Sequence, residues 1–158
     1  MTLQAILDSI NSQRENKAIN LPGTLQNLTP EECIQVAQAL ATCPNLTSLD
    51  LSANNLGSLA DLASGFAAAL AESTSLTTLN FAKNYLGFLA EDAVGFAAGL
   101  ATSKSLTTLN LSRNGFCLNL SSHGHGLLDE HSEAFTHAIA SMARLTHLTI
   151  DERLIEYN

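Results

Sequence analysis

LTSLDLSANNLGSLADLASGFAAAL, Leu46 to Leu70, decides the fold, because the chain writes it again. LTTLNFAKNYLGFLAEDAVGFAAGL begins at Leu76 and LTTLNLSRNGF at Leu106, an offset of 30 residues each time. Leu49, Leu79 and Leu109 coincide, as do Asn54, Asn84 and Asn114, and Phe66 with Phe96. The same offset backward sets Ile19 under Leu49, Leu21 under Leu51, Val36 under Phe66 and Leu40 under Leu70. Forward, LTHLTI at Leu145 matches at an offset of 39, with Phe135 under Phe96 and Ile139 under Leu100. Extra residues therefore enter between Cys117 and about Asp129.

Each unit mixes two periods. Leu49 and Leu51 alternate with Ser48, Asp50 and Ser52, which is a short strand with one face inward. Leu59, Leu62, Ala63, Phe66, Ala67 and Leu70 then follow helical spacing. One strand and one helix cannot bury their apolar faces alone, but stacked neighbours can, as a parallel sheet backed by helices. The expected strands centre near Asn20, Asp50, Asn80, Asn110 and Thr149, and the expected helices start near Pro30, Leu59, Leu89 and Asp129. The repeated asparagine suits a turn whose buried backbone groups need a side-chain amide as partner. Gly57 and Gly87 follow where a turn calls for positive φ.

LxxLxLxxNxL followed by an Ala/Leu-rich helix resembles the leucine-rich repeat, in its long ribonuclease-inhibitor-like subtype. The resemblance covers about Ala18 to Ile150, with Thr24 standing where the first unit would carry its asparagine. It implies an α/β right-handed solenoid, a short horseshoe arc. The sheet of about five parallel strands lies on its concave side and the helices on its convex side. It also implies a protein–protein interaction module without catalysis, which binds through the concave strands. The simple Ser/Thr/Asn/Ala-rich repeats are similar to those of intracellular bacterial effector proteins, which implies an effector or adaptor role.

A single domain over residues 1–158 accommodates all of this. Residues 1–16, with Leu3, Ile6, Leu7 and Ile10 at helical spacing, form an N-terminal cap helix. Residues 17–150 hold the repeats, with an insertion near 117–128, and 151–158 form a C-terminal cap or tail. Thr29, Pro30 and Glu32 spell a helix start.

Composition narrows the function. Seven Lys and Arg against 15 Asp and Glu give a formal charge of −8, which disfavours nucleic acid and anionic membranes. Three cysteines without a CxxC pair argue against a disulfide framework and point to the cytoplasm, or the host-cell cytosol for a secreted effector. Met1 opens an amphipathic stretch rather than a signal peptide. No apolar run approaches the roughly 20 residues of a membrane span. No phosphate loop, Gly-x-Ser-x-Gly or zincin pattern occurs, so the chain reads as no enzyme, with no cofactor.

Candidate partner-binding residues fall on two faces. Asp50, Asn80, Asn110 and His147 point outward from the strands, and Lys83, Tyr85, Phe88 and Arg113 mark the turns that follow. Tyr85 and Phe88 break the small polar run set by Asn55 and Ser58, and exposed aromatics beside a cation suit an interface centre. Two alternatives stand beside this reading. Residues 117–131, CLNLSSHGHGLLDEH, offer His123, His125 and His131 as metal ligands, and Cys117 beside them as a Cys/His pair. Gly65, Ala69, Gly95 and Gly99 offer a smooth helix face for homo-oligomerisation.

Overall fold

Ile19, Leu49, Leu79, Leu109 and Leu148 lie side by side in the computed structural model, one from each successive strand, and all five are buried. The structure describes residues 1–58, 62–86, 90–115, 129–150 and 153–156. The strands are β1 (Ala18–Asn20), β2 (Ser48–Asp50), β3 (Thr78–Asn80), β4 (Thr108–Leu111) and β5 (His147–Ile150), paired in sequence order and all parallel. A sixth strand, β6 (Arg153–Glu156), adds antiparallel to β5 and covers its outer edge. The five expected strands stand where the repeat offset sets them, and β4 and β5 stay in register across the longer fourth interval.

The helices are α1 (Leu3–Ser12), α2 (Pro30–Ala41), α3 (Leu62–Ala71), α4 (Ala90–Leu100) and α5 (Asp129–Ala140). The starts expected near Leu59 and Leu89 fall outside the described residues. Thr29 caps α2 with a complete capping box: its hydroxyl accepts from the Glu32 N–H at 3.3 Å, and Glu32 Oε2 accepts from the Thr29 N–H at 2.8 Å. α1 packs on α2 through buried Ile6 and Ile10, covering the open end of the helix row. Phe66, Phe81 and Phe96 form the centre of the core, with ring centroids 6.0 Å and 4.4 Å apart.

The asparagines join the units. Asn84 Nδ2 donates to the Leu51 carbonyl of the preceding unit at 2.9 Å and to the Phe81 carbonyl of its own at 3.2 Å. Its Oδ1 accepts from the N–H groups of Asn54 and Leu56 at 2.9 and 3.3 Å. Asn114 repeats the pattern one unit on, against Asn84, Leu86, Phe81 and Leu111. Asn54 does the same with Leu21, Leu51 and Leu25. All three side chains are essentially inaccessible. Thr24 keeps only the bond within its own unit, to the Leu21 carbonyl at 2.8 Å, because no strand precedes β1 in the sheet.

A second ladder runs along the other ends of the strands. The hydroxyls of Thr47, Thr77, Thr107 and Thr146 donate to the carbonyls of Lys17, Thr47, Thr77 and Thr107 at 3.0 to 3.2 Å.

Gly57 departs from expectation. It has no positive φ; among the described residues those positions are Ala53, Asn55, Lys83, Tyr85 and Arg113, together with Gly23 and Gly115, and Gly87 lies outside them. Gly57 instead lies in a 3-10 turn (Leu56–Ser58), where its N–H donates to the Asn84 carbonyl at 2.7 Å. A Cβ there would stand 2.5 Å from the Tyr85 carbonyl group and the Leu86 nitrogen, so glycine is required by close approach of the next unit.

Two substitutions test the joints. Asn84→Ala should lower stability by about 1–3 kcal/mol, since buried donors and acceptors lose their partner. Gly57→Ala should cost at least about 2 kcal/mol through the backbone clash. Urea unfolding midpoints measure both, and a Gly57→Ala variant as stable as the parent would show that the units sit further apart.

Candidate interaction surface

The turn edge is made by the backbone before any side chain is considered. Gly23, Ala53 and Lys83 adopt left-handed conformations, with φ of 65°, 59° and 59°, so that their N–H groups reach Ser52, Ala82 and Ser112 carbonyls in the next unit at 2.9 to 3.0 Å. Two residues on, Asn55, Tyr85 and Gly115 are left-handed again, at 60°, 62° and 74°. Glycine and asparagine tolerate this region, whereas a tyrosine there is strained. Lys83 and Arg113 hold matching positions in adjacent units, both exposed and both left-handed. Tyr85, two residues on from Lys83 in the same turn, is 57% exposed. Among the described residues, only it and Met1 are large hydrophobic side chains left so open. Phe88, the other aromatic of the sequence reading, lies outside the described residues.

The strand face is less available than its composition suggests. Asp50, Asn80 and Asn110 are half-buried, and each turns its Oδ1 back to the N–H two residues on. These bonds go to Ser52, Ala82 and Ser112 at 2.8, 3.2 and 3.0 Å. They are Asx turns that finish each strand. His147 is exposed, with Nδ1 2.9 Å from the Thr146 hydroxyl. The structure therefore brings Lys83, Tyr85 and Arg113 together at the turn edge, and leaves Asp50, Asn80, Asn110 and His147 spaced one per strand. The Asx role of those three residues was missed, although Asp or Asn two residues before a turn is its usual signal.

The small helix residues expected to support homo-oligomerisation have neighbours within the chain. A Cβ on Gly99 would meet the Ser64 carbonyl at 2.6 Å and Ala67 Cβ at 2.8 Å; one on Gly95 would meet Ser64 Cβ at 3.3 Å; one on Gly65 would meet Ile34 at 3.1 Å. Ala69 is buried. These small residues let α2, α3 and α4 approach one another within the chain, while Gly65, Gly95 and Gly99 stay partly exposed.

At the end of the row the receiving positions change character. Ser64, Ala67 and Ala68 of α3 take α4, and their counterparts in α4 are Val94, Ala97 and Ala98. In α5 the counterparts are Glu133, Thr136 and His137, which with Ala140 line a shallow groove. The last helix meets water with polar residues where its predecessors meet a helix with small ones.

His123 and His125, with Cys117 and the side chain of His131, lie outside the described residues. Among the described residues no group of three or more His, Cys, Asp or Glu is placed to hold a metal ion. No helix among them is long and apolar enough to cross a membrane. Cys33 and Cys43 are free and buried. Burial, with the Glu32 carboxylate adding to it, pushes the Cys33 thiol up to about 11. Burial also raises Cys43.

Sequence and fold comparisons agree with this architecture. The Leucine Rich Repeat family matches residues 45–66. No curated protein matches the chain in sequence. Among solved structures, the actin-binding site 2 of leiomodin-1 is similar, with a TM-score of 0.68 at 15% identity, over 95% of this chain and 79% of that one. The C-terminal domain of tropomodulin from Caenorhabditis elegans is also similar, with a TM-score of 0.63 at 13% identity, over 95% and 83%.

The thiols give a direct test of this packing. A raised thiol stays protonated and unreactive through mildly alkaline pH, and gains thiolate only as pH climbs toward the folded value. A thiol reagent at pH about 8 should thus leave Cys33 and Cys43 of the folded chain unlabelled and modify both in urea. Fast labelling of Cys33 without denaturant would contradict its burial.

Proposed function

We propose that this chain, a leucine-rich-repeat protein by its fold and its matched repeat, is a protein-binding module that works without catalysis. Its contact surface is the turn edge around Tyr85, flanked by Lys83 and Arg113. The observation that carries this reading is the Tyr85 ring, 57% exposed on a left-handed backbone at φ 62°. Folding gains nothing from either feature, since Asn55 and Gly115 fill the same place in neighbouring units with less strain. An exposed aromatic anchor beside cations is the composition of an interface centre. On a chain of net charge −8, matched cations in adjacent units favour a partner with an acidic surround to an apolar pocket. The similarity to a fragment of leiomodin-1 named as an actin-binding site supports a protein partner, and makes actin the first defined probe. The buried, free Cys33 and Cys43 support a reducing compartment such as the cytoplasm.

Tyr85→Asn, the residue of the preceding unit, separates binding from folding. Its melting temperature should equal or exceed the parent's, because asparagine accepts left-handed backbone more readily. Binding of actin, or of a partner identified from cytosol, should weaken by roughly thirtyfold, the cost of losing an aromatic hot spot of about 2 kcal/mol. Unchanged affinity for the identified partner moves the interface off this edge. A large fall in melting temperature makes the ring a structural element instead.

A further inference from the structure

Asn114 is the one ladder asparagine followed by glycine, and Asn114–Gly115 is the sole Asn-Gly pair of the sequence. Asn54 and Asn84 are followed by Asn55 and Tyr85, whose side chains flank the backbone nitrogen that follows the carboxamide. Gly115 has none; it is exposed, with φ +74°, and among the described residues nothing lies within 4 Å of where a Cβ would be. Asn114 also ends the asparagine series, since the matching position of the last unit is Arg153.

We propose that Asn114 and Gly115 form a site of spontaneous deamidation that the folded ladder holds silent, and whose use unfastens the C-terminal units. The Gly115 backbone nitrogen, its proton passing to hydroxide or water, attacks Asn114 Cγ. A C–N bond forms, the Cγ–Nδ2 bond breaks, and ammonia leaves with a five-membered imide behind it. Water then opens the imide at either carbonyl, giving aspartate or isoaspartate.

In the folded chain Cγ is not free to turn toward Gly115. The carboxamide is 0% exposed and held by four bonds: Asn84 N–H at 2.8 Å, Leu86 N–H at 3.3 Å, and the Phe81 and Leu111 carbonyls, each at 2.9 Å. Reaction therefore passes through an opened form of this turn. The return is barred by chemistry. An aspartate keeps acceptors for Asn84 and Leu86 but has no N–H for the two carbonyls, and brings a charge into a buried site. Isoaspartate also lengthens the main chain by one carbon at a turn whose neighbours are spaced to a fixed register. Opening is reversible until the amide is lost, and one-way afterwards.

The experiment follows the amide-to-acid mass change at Asn114 by peptide mapping in mildly alkaline buffer, with the whole chain either folded or in urea. The folded chain should react on the order of a hundredfold more slowly than the unfolded one. Gly115→Asn, which copies the left-handed Asn55, should slow the reaction in urea by about tenfold while leaving the melting temperature near the parent's. Asn114→Asp should lower the melting temperature by about 5 °C or more, or prevent folding. Equal rates in buffer and urea would overturn the proposal, as would acid formation confined to other asparagines. An Asn114→Asp variant that melts with the parent would overturn the unfastening step.

Discussion

The turn from strand to helix buries backbone N–H and C=O groups that have no secondary-structure partner, and everything else in this solenoid depends on how they are paired. A carboxamide has a donor and an acceptor on one rigid plane, so a single asparagine can serve two units at once. Asn84 bonds carbonyls of its own and the preceding unit with Nδ2 and accepts two N–H groups of the preceding unit with Oδ1. The geometry repeats only if units keep a constant separation. That constraint in turn requires glycine at Gly57, small residues at Gly65, Gly95 and Gly99, and left-handed backbone at Ala53 and Lys83.

The same constraint sorts residues that maintain the repeat from residues that do not. Asp50, Asn80 and Asn110 look like a polar binding row, yet each already closes an Asx turn. Thr47, Thr77, Thr107 and Thr146, at the starts of the strands, are cross-unit donors. The exposed Tyr85, on the same turn as Lys83, stands apart from these residues. It is a position where a non-glycine residue holds a left-handed backbone, at a conformational cost. Such local conflict between propensity and structure is where function is to be sought.

Much was legible in the chain because the repeat is an internal alignment. Matching positions at an offset of 30 exposed the strand centres, the buried Leu and Phe rows, the ladder asparagines and the outward setting of Tyr85. The Thr29 capping box was equally readable, because its bonds span only three residues. Local rules and periodicity suffice for these features, since each depends on neighbours in sequence or on the identical neighbour in the next unit.

Tertiary structure decided what depends on distance between units. Gly57 reads as a turn glycine, and only the position of the Tyr85–Leu86 backbone shows that it is a matter of space. The helix glycines read as a surface for a second copy, and only the closeness of α3 to α4 shows that the approach is made inside the chain. β6 turns back antiparallel on β5, although its sequence breaks the repeat and so carries no period to read. Sequence periodicity determines which residues are equivalent and which face inward; how near equivalent units come, and which polar atoms are thereby consumed, is set by packing across the stack.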